Sequence, residues 1–223
     1  MSLDKSKTDL KLGREIEQFL IKKKVSTPTT GRECFNEGII TEISKDFQNI
    51  LIKLGLDLKD DSLMDTPKRV AKMYVNEIFW GLLPENFPKI TTVENKMQYD
   101  NMLIERNIGV SSHCEHHLVG IVGNCHIAYI PAKKIIGLSK FNRVVEYFSK
   151  RPQIQERLTE QIYYALSFVL ETEDIAVVIE AEHYCVKSRG VEDINSDTIT
   201  SKVGGVFMDD AQVRTEFLTL IKK

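Results

Sequence analysis

Met102-Leu-Ile-Glu-Arg-Asn-Ile108 is the stretch where the chain changes its hydrophobic period. Met102, Ile104, Arg106 and Ile108 share one face of a predicted strand and Leu103 and Glu105 the other, since successive strand side chains alternate. Upstream the period is helical. Leu10, Leu12, Ile16, Phe19 and Leu20 fall on one side of a predicted helix that runs into Lys22-Lys-Lys24. Residues 25–37, containing Ser26-Thr-Pro-Thr-Thr-Gly31, read as a linker. Ile39, Ile43, Phe47, Ile50, Leu51 and Leu54 mark a second helix. Asp65-Thr66-Pro67 predicts a third, with Thr66 as cap, Pro67 at the first position and Gly81 as the stop.

Downstream, residues 119–130 predict a strand closed by Pro131, and residues 139–150 and 152–170 two helices. Ile154, Leu158, Ile162, Ala165, Leu166 and Val169 supply the buried stripe of the longer one. Residues 175–186 predict another strand and 198–207 a fourth. Helices first, then strands enclosing a helical pair, indicate an α+β fold with an antiparallel sheet backed by helices. Residues 1–38 form an N-terminal helical extension and linker, and residues 39–223 the main domain.

Composition narrows the function. The chain has 223 residues, of which 42% are hydrophobic and 28% charged, an ordinary globular balance. Its 30 Lys and Arg against 32 Asp and Glu leave no basic surplus for a nucleic-acid binder. No apolar run is long enough for a membrane span, and the start lacks the apolar core of a signal peptide. A cytoplasmic location follows as an expectation, and there the four cysteines read as thiols or metal ligands rather than disulfides.

Ser112-His113-Cys114-Glu115-His116-His117 is the most informative cluster. The two-residue gap between Cys114 and His117 lets a short turn present sulfur and imidazole to one metal. The complementary half is His183-Tyr184-Cys185, where the face of Ile175, Val177, Ile179 and Ala181 continues into His183 and Cys185. Cys114, His117 and Cys185 would make a three-ligand site with one open position, as catalytic zinc requires. The bland alternatives are a core cysteine and a hydrogen-bonded histidine. His116 and His183 would then sit beside the metal as proton carriers. Cys125 and His126 read as structural, and Cys34 as an unremarkable linker thiol.

A second constellation suits an anion. Ser139 would cap a helix beside Lys140 and Arg143, and a helix N-terminus with two cations can hold phosphates. A solvated helix start explains the same residues. Arg189 follows the candidate ligand Cys185, and Lys68-Arg69 opens an earlier helix. Gln155 and Glu156 lie in the first turn of the long helix, where a carboxylate either answers the helix dipole or reads guanine's parallel N–H donors. Spacing does not choose between the two.

Taken together these blocks resemble GTP cyclohydrolase I. The resemblance rests on Asp65-Thr-Pro-Lys-Arg69, Asn86-Phe-Pro-Lys89, Cys114-Glu-His-His117, Tyr129-Ile-Pro131, Ile136-Gly-Leu-Ser-Lys140, Arg151-Pro-Gln-Ile-Gln-Glu-Arg-Leu-Thr159, Glu182-His-Tyr-Cys185 and Ser188-Arg-Gly-Val191. It implies a tunnelling fold, a toroidal homodecamer of two pentamers with active sites at subunit interfaces, and GTP as substrate. It further implies Zn2+ on Cys114, His117 and Cys185, with His116 and His183 as the acid/base pair. Glu156, with Gln155 nearby, would read guanine. Ser139, Lys140, Arg143 and Arg189 would hold the triphosphate, with Arg69 arriving from a neighbouring subunit. The implied reaction is hydrolysis and rearrangement of GTP to 7,8-dihydroneopterin triphosphate with release of formate, the first step of pterin and tetrahydrofolate biosynthesis. Family members often carry a proline soon after the Cys-Glu-His-His block, and residues 118–123 here have none. Two other readings share the motifs: a non-catalytic zinc-stabilised interaction module, and a tunnelling-fold enzyme acting on another purine or pterin.

Overall fold

The computed structural model describes residues 3–30 and 38–222, so Cys34 and part of the predicted linker lie outside the described residues. Helices α1 (Leu10–Lys22), α2 (Ile39–Lys53) and α3 (Thr66–Met73) come first. Strands β1 (Thr92–Glu94), β2 (Leu103–Cys114), β3 (Gly120–Tyr129) and β4 (Lys134–Ile136) follow. Then come α4 (Ser139–Ser149), β5 (Pro152–Gln153), α5 (Gln155–Leu170), β6 (Ile175–His183), α6 (Tyr184–Lys187), β7 (Thr198–Val203), α7 (Val206–Asp209) and α8 (Ala211–Ile221). The main sheet runs β5-β2-β3-β6-β7; β2, β3, β6 and β7 are antiparallel, and the two-residue β5 joins β2 in parallel. Strands β1 and β4 form a separate antiparallel pair. Among the described residues no helix is long and apolar enough to cross a membrane.

Helices α4 and α5 back one face of this sheet. Phe141, Val144, Val145 and Phe148 of α4 and Leu158, Ile162, Ala165 and Leu166 of α5 meet Ile175, Val177 and Ile179 in the main core. Each of the Val, Leu, Ile and Phe side chains, fully buried, contributes about 1.5–3 kcal/mol. On the other face Ala128, Ala176 and Val178 pack with Phe207 and Phe217 from α7 and α8. Burial on both faces explains why Ile175-Ala-Val-Val-Ile179 shows no polar alternation. The C-terminal helix α8 was not predicted. It is capped by Asp210, whose carboxylate accepts from the N–H groups of Gln212 and Val213.

Five local expectations are corrected. In β2 the register shifts between Glu105 and Ile108, and Asn107 takes a left-handed φ of 60°. This bulge puts Ile108 on the main core while Ile104 and Met102 pack with the other cluster, so they do not share a face. Second, Thr66 is inside α3 rather than its cap; Asp65 holds the cap position without a side-chain bond. Third, α3 passes after Met73 into a π-helical turn over Tyr74–Ile78, so the helical run ends at Ile78 and Gly81 is not its stop. Gly81 is instead buried where its N–H donates to the Lys150 carbonyl at 2.9 Å, and a Cβ there would overlap the Tyr147 carbonyl. Fourth, residues 152–153 pair as β5, so the long helix starts at Gln155. Fifth, β6 stops at His183, and β7 at Val203 before the Gly204-Gly205 corner.

The first helix is packed into the molecule. Ile16 and Leu20 belong to the main core, the Asp9 carboxylate caps α1 through the Leu12 N–H, and Asp9 N–H donates to the Phe87 carbonyl at 2.8 Å. Behind α1 lies a deeply buried cation, Arg151, at 1% exposure. It donates to the Gly81 carbonyl at 2.7 Å, Tyr147 Oη at 2.7 Å, Thr27 Oγ1 at 3.2 Å and Glu17 Oε2 at 3.3 Å. Gln161 extends the network to Val25 and Thr27, and Gln153 to Gln161.

Candidate active site

Register brings the metal-ligating candidates to one end of the sheet. His113 pairs with Gly120 across the β2–β3 hairpin, and Ile121 pairs with His183 across β3–β6. The turn after Cys114 and the turn after His183 therefore face each other. One ligand atom each from Cys114, His117 and Cys185 lie within 4.8 Å of one another. Cys185 reaches this group from the helical turn α6 and not from a continuing strand, so the predicted odd-numbered face stops at His183.

Local geometry shapes each carrier. The 114–118 turn closes through Leu118 N–H to the Cys114 carbonyl at 2.8 Å, and Cys114 N–H donates to Val119 at 2.8 Å. Leu118 pays for this closure with a left-handed φ of 54°, a strain of about 1–2 kcal/mol for a residue with a Cβ. Burial and the adjacent Cys114 thiol raise the Cys185 pKa, while Arg189 pulls it down. Two thiols side by side with an imidazole form a soft S/N donor set, the chemistry that fits Zn2+. Arg189 is brought to this group, donating from Nη1 to His117 Nε2 at 2.7 Å.

Of the two predicted proton carriers, His116 lies beside a sulfur and His183 is held by an amide. His116 Nδ1 lies 3.7 Å from Cys114 Sγ, and its ring is exposed. His183 Nε2 lies 2.6 Å from Gln155 Oε1. The Gln155 amide nitrogen faces two carbonyl oxygens, Ile179 at 3.0 Å and Thr198 at 2.9 Å, which can only accept. Its oxygen must then accept from His183, so Nε2 carries the ring proton and Nδ1 is left to exchange one. Burial lowers the His183 pKa, and nearby Glu156 partly offsets this. Glu156 itself is exposed beside His183.

Gln155 does not reach outward. At 1% exposure it is spent on His183, Ile179, Thr198 and Thr200, which differs from the expectation that it joins Glu156 on the base. Thr200 and Thr159 share a 2.7 Å hydroxyl bond, and Thr159 also donates to the Gln155 carbonyl. Sequence reading missed both threonines. The four-residue step from Gln155 to Thr159 was the available signal; Thr200 comes from a strand remote in sequence.

The cation group lies elsewhere. Ile136 N–H donates to Tyr129 Oη, and Tyr129 pairs with Ile175 at the opposite end of β3 from Ile121. Eight strand residues separate the ends by about 27 Å. Ser139 and Lys140 follow Ile136 near that far end, and α4 then runs back along the sheet, with Asn142 lining a cavity beside Ile108, Gly109 and Ser111. Ser139 is exposed as the first residue of α4, with Leu138 rather than Ser139 at the cap. Burial and the charges of Arg143, Lys89 and Lys7 lower the Lys140 pKa, evidence of a cationic cluster. Arg143 and Lys7 line one cavity of about 290 Å³ with Asn86 and Trp80. Arg69 is exposed on α3, 3.7 Å from Asp65. Cys125 is fully buried, where burial pushes its thiol up, and His126 is 3% exposed on β3; neither belongs to the metal group.

A family model for GTP cyclohydrolase I matches residues 43–222. The chain belongs to the GTP cyclohydrolase I family. It is 52% identical over 210 residues to GTP cyclohydrolase 1 of Haemophilus ducreyi, covering 94% of this chain and 96% of that one. Against the Actinobacillus pleuropneumoniae enzyme of the same name, identity is 50% with the same coverage. Against that of Shewanella loihica it is 50% over 206 residues, 92% of this chain and 96% of the relative. The protein is thus an enzyme of the GTP cyclohydrolase I family, and its helix-backed antiparallel sheet is the tunnelling fold.

Proposed function

We propose that this GTP cyclohydrolase I family member uses zinc to hydrolyse and rearrange GTP to 7,8-dihydroneopterin triphosphate with release of formate, feeding pterin and tetrahydrofolate synthesis. The observation that carries the reading is the grouping of ligand atoms of Cys114, His117 and Cys185 within 4.8 Å of one another, with His116 beside Cys114 and an amide-held His183 two residues before Cys185. Zinc, when bound, lowers the pKa of water to about 7 and so supplies a nucleophile at neutral pH. The chain's own residues do the rest. Exposed His116 donates a proton to the imidazole ring nitrogen of guanine as carbon 8 is attacked, which avoids accumulating charge. His183 exchanges a proton at Nδ1 in the later ribose opening and reclosure, its Nε2–H being held by Gln155. Glu156 accepts guanine's paired N–H donors. Arg189, beside His117, meets the phosphate chain.

Ser139, Lys140 and Arg143 anchor the triphosphate, so that binding energy keeps a multi-step intermediate in place. Ser139 opens α4 near the end of the strands opposite the metal group of the same chain. One GTP would therefore lie between the metal end of one copy and the cation end of another, with exposed Arg69 from a neighbouring copy. This supports a cyclic homo-oligomer, read as a toroidal decamer. The outer edge of β7, unpaired among the described residues and with Ile199 exposed, offers a surface for such assembly. Free thiols suit a reducing cytoplasm.

The test is incubation of zinc-loaded protein with GTP, mild oxidation, and fluorescence of the resulting neopterin triphosphate. The expected result is a fluorescent product that Cys114→Ala abolishes. A folded, zinc-containing sample that leaves GTP unchanged would contradict the reading and shift it to another purine or pterin.

A further inference from the structure

The ligand-bearing turn at residues 114–118 carries no proline, and its closing residue Leu118 is held in a left-handed conformation. Something outside the turn must keep it in shape. On one side Glu115 N–H donates to the Gln153 carbonyl of β5 at 3.0 Å. On the other, the Glu115 carboxylate faces α5, where Arg157 meets it with both arms. Arg157 Nη1 lies 2.5 Å from Oε2 and Nη2 3.3 Å from Oε1. This two-point fork fixes orientation as well as position. It is also largely shielded, with side chains 15% and 23% exposed.

Glu115 sits between the ligand Cys114 and the proton carrier His116, with its Oε1 3.8 Å from His116 Nε2. Arg157 stands one residue after Glu156 in the first turn of α5. The pair therefore joins the metal turn directly to the helix proposed to read the base. We propose that Glu115 and Arg157 are positioning residues that hold the Cys114–His117 turn in its metal-binding shape. The inference rests on the metal site described above. Without the fork the turn keeps only its backbone bonds, its side chains are held less firmly for the metal, and affinity falls; outer partners of this kind typically govern about 10–100-fold in metal affinity.

Zinc affinity of the full chain is measured by competition with a chromophoric chelator, and ligand geometry by the thiolate-to-metal charge-transfer bands of Co2+-substituted protein. Glu115→Gln and Arg157→Met are each expected to lose about 10-fold or more in zinc affinity and to shift the cobalt bands. The double variant is expected to lose no more than the worse single one, because both remove the same fork. Single variants within about twofold of the parent, or losses that multiply in the double variant, would overturn the proposal. Arg157→Lys keeps the charge beside Glu115 and protects the fold while removing the two-point geometry. Unchanged zinc affinity and cobalt bands in that variant overturn the proposal even where the others fail to fold. A parent chain that takes up neither metal overturns the metal site and the clamp with it, and is recognised before any variant is made.

Discussion

Gln155 Oε1 and His183 Nε2 are 2.6 Å apart, and the same Gln155 amide is pinned from behind by the carbonyls of Ile179 and Thr198. A pinned amide cannot flip, so the proton on His183 is confined to Nε2. Gln155→Leu is expected to lower kcat by about 10–100-fold, part of what a well-placed acid/base group supplies. KM for GTP should change much less. Steady-state kinetics over a range of GTP concentrations separates the two. A large rise in KM with kcat unchanged would place Gln155 on the substrate instead.

Metal dependence divides the cysteines. Cys185→Ser is expected to lose stoichiometric zinc and turnover together, because Cys185 is one of the three grouped donors. Cys125→Ala, altering a fully buried thiol outside the group, should keep both. Metal analysis of the purified variants alongside GTP turnover checks the contrast.

Arg151 ties the first helix to the body of the enzyme. Arg151→Ala removes its bonds to Gly81, Tyr147, Thr27 and Glu17 and leaves the largely shielded Glu17 carboxylate without its cation. A loss of about 3–5 kcal/mol is expected, the usual cost of breaking a buried charge pair from one side. Urea denaturation of the variant against the parent measures it. A change below about 1 kcal/mol would show that the network is not needed to hold α1.

Alkaline stability should show the buried phenol of Tyr163. Burial, with Glu173 and Tyr164 nearby, raises its pKa from 10.0 to about 12. A group whose folded pKa is raised contributes stability that is complete below the unfolded value and is lost as pH climbs through the folded one. Stability of the parent should therefore fall between about pH 10 and 12, and Tyr163→Phe should flatten that part of the curve. Thermal midpoints across this window read the difference.

The site was legible in the sequence where chemistry is short-range. Cys114 and His117 are two residues apart in one turn, and His183 and Cys185 flank one strand end, so spacing alone brought out all four. What the sequence concealed was long-range or broke its own period. The β2 bulge at Asn107 interrupts alternation inside one strand, so Ile108 appeared to share a face with Ile104. Arg151 read as part of a motif, yet its burial depends on Glu17 and Thr27 more than 120 positions away. Helix α8 presents only Phe217 fully buried, and so left a weak apolar signal.

The separation of the metal end from the cation end within one chain is most directly tested by complementation. Cys114→Ala lacks a metal ligand, and a Lys140→Ala/Arg143→Ala chain lacks the anion cluster. The two are co-expressed with different tags, purified as mixed assemblies, and assayed at low GTP. If GTP bridges two copies, random mixing places an intact metal end against an intact cation end in about a quarter of sites, and turnover rises well above either parent. Turnover no higher than the average of the two parents would show that each site is built within a single chain.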